Sequence, residues 1–156
     1  MTPVDSKLDR ILSGILEYAS FLPRKKKYPV EVLILRGHLL VEREIHRLVR
    51  EKFQRPKVFE LSRMPFRAVL LLAEALYGSN IPDWVWEDTK ELNTIRNSLA
   101  HHLKDDMLTP RIKRFISRFH QREKKTFAFV DKDITRQLAY CIASLHNELL
   151  EAETGK

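Results

Sequence analysis

Apolar residues return every three to four positions along most of this chain, and nowhere do they alternate for long at the two-residue period of a strand. That spacing gathers them on one stripe of a helix, and a striped helix must bury its stripe against another helix. Only 4 glycines interrupt the pattern, while Leu, Arg, Glu and Lys are abundant. At 156 residues the chain can bury one core but is short for two. The expectation is a single all-α domain over 1–156, an up-and-down helical bundle of about four core helices with one or two flanking helices.

Six helical segments follow from caps and breakers. Asp5 or Ser6 caps a first that runs to about Phe21, with Leu8, Leu12, Ile15, Leu16 and Ala19 on one face and Pro23 ending it. Residues 23–28, with the run Arg24-Lys25-Lys26-Lys27, form an exposed basic linker. Pro29 opens the second and longest, whose period through Leu33, Ile34, Gly37, Val41, Ile45, Leu48 and Val49 lasts to about Phe53. Ser62 caps the third, with Pro65 in its first turn and Gly78 at its end. Asp83 caps the fourth, which extends to about Leu103; Thr109-Pro110 opens the fifth, to about Gln121; Asp131 or Asp133 opens the sixth, to about Glu151, leaving 152–156 as a tail.

Charge and cysteine content narrow the partners. Lys and Arg number 28 against 21 Asp and Glu, a formal charge of +7, which favours polyanions and above all nucleic acid. The single cysteine, Cys141, excludes an intrachain disulfide and suits a reducing, cytoplasmic setting. Its longest apolar tract, Val30 to Val41, is broken by Glu31, Arg36 and His38, so no membrane span is expected. His38, His46, His120 and His146 fall on separate segments without a ligand motif, and no Gly-rich phosphate loop occurs, so neither a metal nor a cofactor is expected.

The fourth segment carries the chemistry. At about 100° per residue, Val85, Leu92, Ile95, Leu99 and Leu103 share one stripe, and Asn93, Asn97, His101 and Lys104 share a polar neighbour. Arg96 falls about 40° from Leu92, at the edge of the apolar stripe. A cation at that angle is either paired with a carboxylate, Glu42 or Glu44 being the nearest in kind, or kept for an anionic ligand.

The run Arg96-Asn97-Ser98-Leu99-Ala100-His101 resembles the signature of the HEPN superfamily: an arginine, a polar neighbour, and a histidine after four to six intervening residues, here four. The context Glu91-Leu92-Asn93-Thr94-Ile95 and the earlier Arg36-Gly37-His38-Leu39-Leu40-Val41-Glu42 extend the likeness over about residues 30 to 103. The resemblance implies a metal-independent endoribonuclease acting as a homodimer, two motifs meeting in one cleft, with toxin or phage-defence roles and an antitoxin or other regulatory protein as a possible partner. It assigns Arg96 to the phosphate, His101 to acid or base work and Asn97 to positioning. The residue types suit this, since a neutral imidazole can take a ribose 2′-hydroxyl proton while a guanidinium holds phosphate oxygens. In HEPN toxins paired with nucleotidyltransferase antitoxins a tyrosine follows the histidine by two residues; here that position is Leu103, which removes control by its modification. His102 lies on the other side of the apolar stripe, so His101 is preferred.

On the fifth segment Arg111, Arg114, Arg118 and Arg122 form a cationic stripe beside Ile112, Phe115, Ile116 and Phe119, with Lys113, Lys124 and Lys125 adding to the field. Together with Asn93 and Lys104 these arginines are the expected RNA-binding residues, the stripe tracking phosphates toward the cleft. Trp84 and Trp86, two apart, point to different sides, so at least one packs. Two other readings remain from the sequence: a non-catalytic HEPN-like module that binds RNA or protein, and a DNA-binding regulator that uses the arginine stripe.

Overall fold

The computed structural model describes residues 29–58, 60–101, 108–123 and 133–152, apart from the side chains of Val58 and His101. Within them lie five α-helices and no strand: α1 (Val30–Lys52), α2 (Phe66–Tyr77), α3 (Asp83–His101), α4 (Leu108–Arg122) and α5 (Ile134–Glu151). The chain is an all-α bundle. The expected first helix, the basic linker at 23–28, the candidate cap Asp131, and residues 153–156 of the expected tail lie outside the described residues.

Most helix ends form where the sequence marks them. Pro29 precedes α1 and its carbonyl accepts from Val32 N at 3.0 Å, while Glu31 stands in the first turn and Arg50 and Lys52 in the last, matching the helix dipole at both ends. The third expected start is corrected. Ser62 lies in a short 3-10 turn, Leu61–Arg63, and Pro65 is the residue flanking α2 instead of part of its first turn. A residue before proline avoids helical backbone, so the helix begins only after Pro65. Gly78 ends α2 at φ 49°, left-handed backbone that glycine adopts without a Cβ penalty. Asp133 caps α5, its carboxylate accepting from Thr135 N at 2.8 Å.

Helix α1 packs against α2, α3 and α5, and α4 closes the other side of α3 and α5. The core joins Ile34, Val41, Ile45 and Leu48 of α1 to Val69 and Ala73 of α2, Leu92 and Ile95 of α3, Phe115 and Phe119 of α4, and Leu138, Ile142 and Leu145 of α5. Gly37 sets the closest approach of α1 and α5. A Cβ built there would stand 2.6 Å from Ile142 Cγ2, well inside contact distance. Helix α2 is also tied by Tyr77, whose hydroxyl donates to Leu48 O at 3.0 Å.

Two buried ion clusters sit inside this frame. Glu44 of α1, 4% exposed, accepts from Arg47 at 2.7 Å and from Arg43 at 3.3 Å, and lies 3.9 Å from His146 of α5. Arg47 also donates to Leu149 O at 2.9 Å, so the cluster staples α1 to the end of α5. The second cluster joins α3 to α4 through Asp88. Among the described residues no helix is long and apolar enough to cross a membrane.

Candidate functional site on helix α3

Helix α3 buries Val85, Trp86, Asp88, Thr89, Leu92 and Ile95, with Leu99 partly buried against the same core. Its polar stripe therefore opens away from the bundle. Asn93 and Asn97 are half-buried on it, and the helix reaches His101 at its end. The side chain of His101, and His102, Leu103 and Lys104, lie outside the described residues.

Arg96 departs from the wheel reading. It is exposed, and its Nη1 donates to Asn97 Oδ1 at 3.0 Å; neither Glu42 nor Glu44 holds it. The helical angle gives the direction of Cα–Cβ, but a long arginine stem starting at the edge of an apolar stripe can carry its head group to water. Glu44 is committed to Arg47 and Arg43, and Glu42 lies 3.6 Å from His38. Among the described residues no carboxylate pairs with Arg96, so its charge faces outward.

Next to it is a polar contact that the sequence did not announce. His38 of α1, 3% exposed, sets its Nε2 3.1 Å from Asn93 Oδ1, and its ring lies edge-on to Phe66 of α2 at 4.8 Å. Burial pushes the His38 pKa below its ordinary value, against the opposing pull of Glu42 and the Asn93 contact, while the Arg96 charge acts in the same direction as burial. The imidazole is thus held neutral near pH 7.

Outside these residues, between α2 and α3, runs a groove of about 450 Å³ lined by Arg67, Leu70 and Leu71 on one wall and Lys90, Asn93, Thr94 and Asn97 on the other. That volume falls within the roughly 300–1,000 Å³ of ordinary ligand clefts. Lys90 reaches across to Glu74 at 2.7 Å, and Thr94 turns its hydroxyl back to Lys90 O at 3.0 Å. Arg67 is exposed, with no ion-pair partner among the described residues.

The α4 arginines are placed differently from one another. Arg118 and Arg122 both close on the Asp88 carboxylate, Arg118 at 2.8 Å, and the Asp88 side chain is only 1% exposed. Arg122 also lies over Trp84 at 4.2 Å and Phe119 at 4.5 Å from the ring centroids. Arg111 stands 3.9 Å from Glu91, and Arg114 is exposed. Three of the four stripe arginines thus meet acids on α3, which offsets the mutual repulsion of like charges. Trp86 is buried and Trp84 half-buried, which makes both tryptophans packing residues. Lys124 and Lys125 lie outside the described residues.

Asp88 had a signal in the sequence. It precedes Leu92 by four residues and so shares the apolar stripe, the position at which an acid demands a buried cation. The His38–Asn93 contact spans 55 residues and had none.

Comparison with family models, curated proteins and solved structures returned no match for this chain. What the fold and the site define is an all-α bundle whose third described helix presents an outward arginine and two asparagines, the asparagines lining a groove of mixed polar and apolar residues.

Proposed function

We propose that the protein is a metal-independent endoribonuclease of the HEPN type, acting as a homodimer, with Arg96, Asn97 and His101 as its working residues. The observation that carries this reading is the state of Arg96. It sits exposed and donates to Asn97, a residue of the α2–α3 groove, with no carboxylate among the described residues to neutralise it. A guanidinium left open on a helix of a chain with formal charge +7 is suited to hold a phosphate bidentately.

In the proposed reaction His101 takes the proton of a ribose 2′-hydroxyl, and that oxygen attacks the adjacent phosphorus. The bond from phosphorus to the 5′-oxygen breaks, the departing oxygen is protonated, and a 2′,3′-cyclic phosphate and a 5′-hydroxyl remain. Arg96 stabilises charge as it grows on the phosphate oxygens. Arg96 and His101 are about 140° apart around one helix, so a single copy flanks the phosphate from one side only. A second copy facing the groove completes the constellation.

The DNA-binding alternative is less well supported, because Arg118 and Arg122 are engaged by Asp88. A binding module without turnover would use the same α3 face. Cleavage of single-stranded RNA in EDTA by wild type, Arg96→Ala and His101→Ala separates the two. Activity in wild type and its loss in both variants is expected; equal activity in all three sinks the assignment.

A further inference from the structure

We propose that the α2–α3 groove is a phosphodiester-binding subsite for single-stranded RNA, and that buried His38 is the positioning residue that turns the Asn93 amide into it. The proposal rests on the ribonuclease reading for its choice of polyanion, and on the groove's own geometry for the site.

The argument starts from the two amide oxygens. Asn93 Oδ1 faces His38 Nε2 at 3.1 Å, and Asn97 Oδ1 accepts from Arg96 Nη1 at 3.0 Å. An amide whose oxygen is engaged keeps its two N–H donors for another direction. Both asparagines line the groove, so with their oxygens engaged elsewhere the amide N–H groups are the donors they can offer it. An acceptor opposite His38 Nε2 requires that nitrogen to carry the proton. Burial of the imidazole at 3% exposure, against Phe66, fixes the ring that fixes the amide.

The opposite wall supplies charge. Arg67 of α2 is exposed and without an ion-pair partner among the described residues, whereas Lys90 is drawn to Glu74. Two amide donors facing one guanidinium match the acceptor-only oxygens of a phosphodiester. Leu70 and Leu71, on the same wall as Arg67, add apolar surface against which a ribose or base can lie. The same donors also suit the carboxylates of an acidic peptide, and the ribonuclease reading is what favours RNA over it.

The test measures binding separately from turnover, with a short mixed-sequence 2′-O-methyl RNA oligonucleotide, which lacks the attacking hydroxyl. Its affinity is read by fluorescence anisotropy and its position from the side-chain amide signals of Asn93 and Asn97 in NMR spectra. Wild type is expected to bind with both amides shifted. Asn93→Asp is expected to weaken binding about tenfold, since a donor becomes a repelling carboxylate. Arg67→Ala is expected to lower the salt slope by about 0.7, one phosphate contact on a single strand.

His38→Leu is expected to weaken binding about as much as Asn93→Asp, and His38→Gln, whose amide N–H can meet Asn93 Oδ1, to restore most of it. A merely structural role would not be rescued in this way. Should His38→Leu fail to fold, Asn93→Asp and Arg67→Ala, on half-buried and exposed positions, still decide. Unchanged binding in both of these, or a glutamate-rich peptide shifting the amides while the oligonucleotide does not, overturns the proposal. Wild type that binds the oligonucleotide in the groove but leaves unmodified RNA intact would remove the ribonuclease reading and keep the subsite.

Discussion

Asp88 and Arg118 meet at 2.8 Å across the α3–α4 interface, with the acid side chain 1% exposed and the arginine 35%. The asymmetry matters, because the carboxylate has no access to water while each arginine keeps some. Removing the acid leaves Arg118 and Arg122 facing each other without a counter-charge. Asp88→Ala is expected to cost about 3 kcal/mol of folding stability, the low end for breaking a buried pair. Arg118→Ala should cost clearly less, because Arg122 still holds Asp88. Urea unfolding of the two variants and the double mutant checks this; equal losses would show that the acid is not the centre of the cluster.

Close contact of α1 and α5 depends on the missing side chain at Gly37. Gly37→Ala places a methyl against Ile142 and is expected to destabilise by about 1–3 kcal/mol, as overpacking does, despite the better helix propensity of alanine. Ile142→Ala removes the obstructing atoms, so the loss in the double variant should be smaller than the sum of the two single losses. Strict additivity, measured by urea midpoints, would contradict the packing described here.

The pH dependence follows from His38. Burial places its folded pKa below the ordinary value of 6.5, so the unfolded chain binds the proton more readily. Stability is therefore fully present above about pH 6.5 and falls as the pH drops from there toward the folded pKa. His46, also lowered by burial first, acts in the same sense. The difference between wild type and His38→Gln isolates His38: the gap between unfolding midpoints at about pH 7.5 and about pH 5.5, either side of the free-histidine value, should narrow in the variant, with the His46 share remaining. An unchanged pH slope would contradict a buried neutral imidazole.

Much of this fold was legible in the sequence because helices announce themselves locally. Pro29, Gly78, Asp83 and Asp133 each mark a helix end within a residue or so of where the structure has it. Ser62 misled, because a good capping residue says nothing about a proline three positions later that delays the helix. The site was legible only in part. Wheel angles separated Asn93 and Asn97 from the buried face, but they could not say that Arg96 reaches solvent, or that Arg118 and Arg122 turn to Asp88. Those outcomes depend on side-chain length and on which helix lies opposite. The His38–Asn93 contact depends on packing alone.

The proposed function is tested most directly by the chemical nature of RNA ends after incubation of wild-type protein with single-stranded RNA in EDTA. The account predicts fragments that carry 2′,3′-cyclic phosphate and 5′-hydroxyl ends, absent with His101→Ala and with RNA bearing 2′-deoxyribose at the cleaved position. Intact RNA with wild type, or the same fragments from His101→Ala, would contradict it.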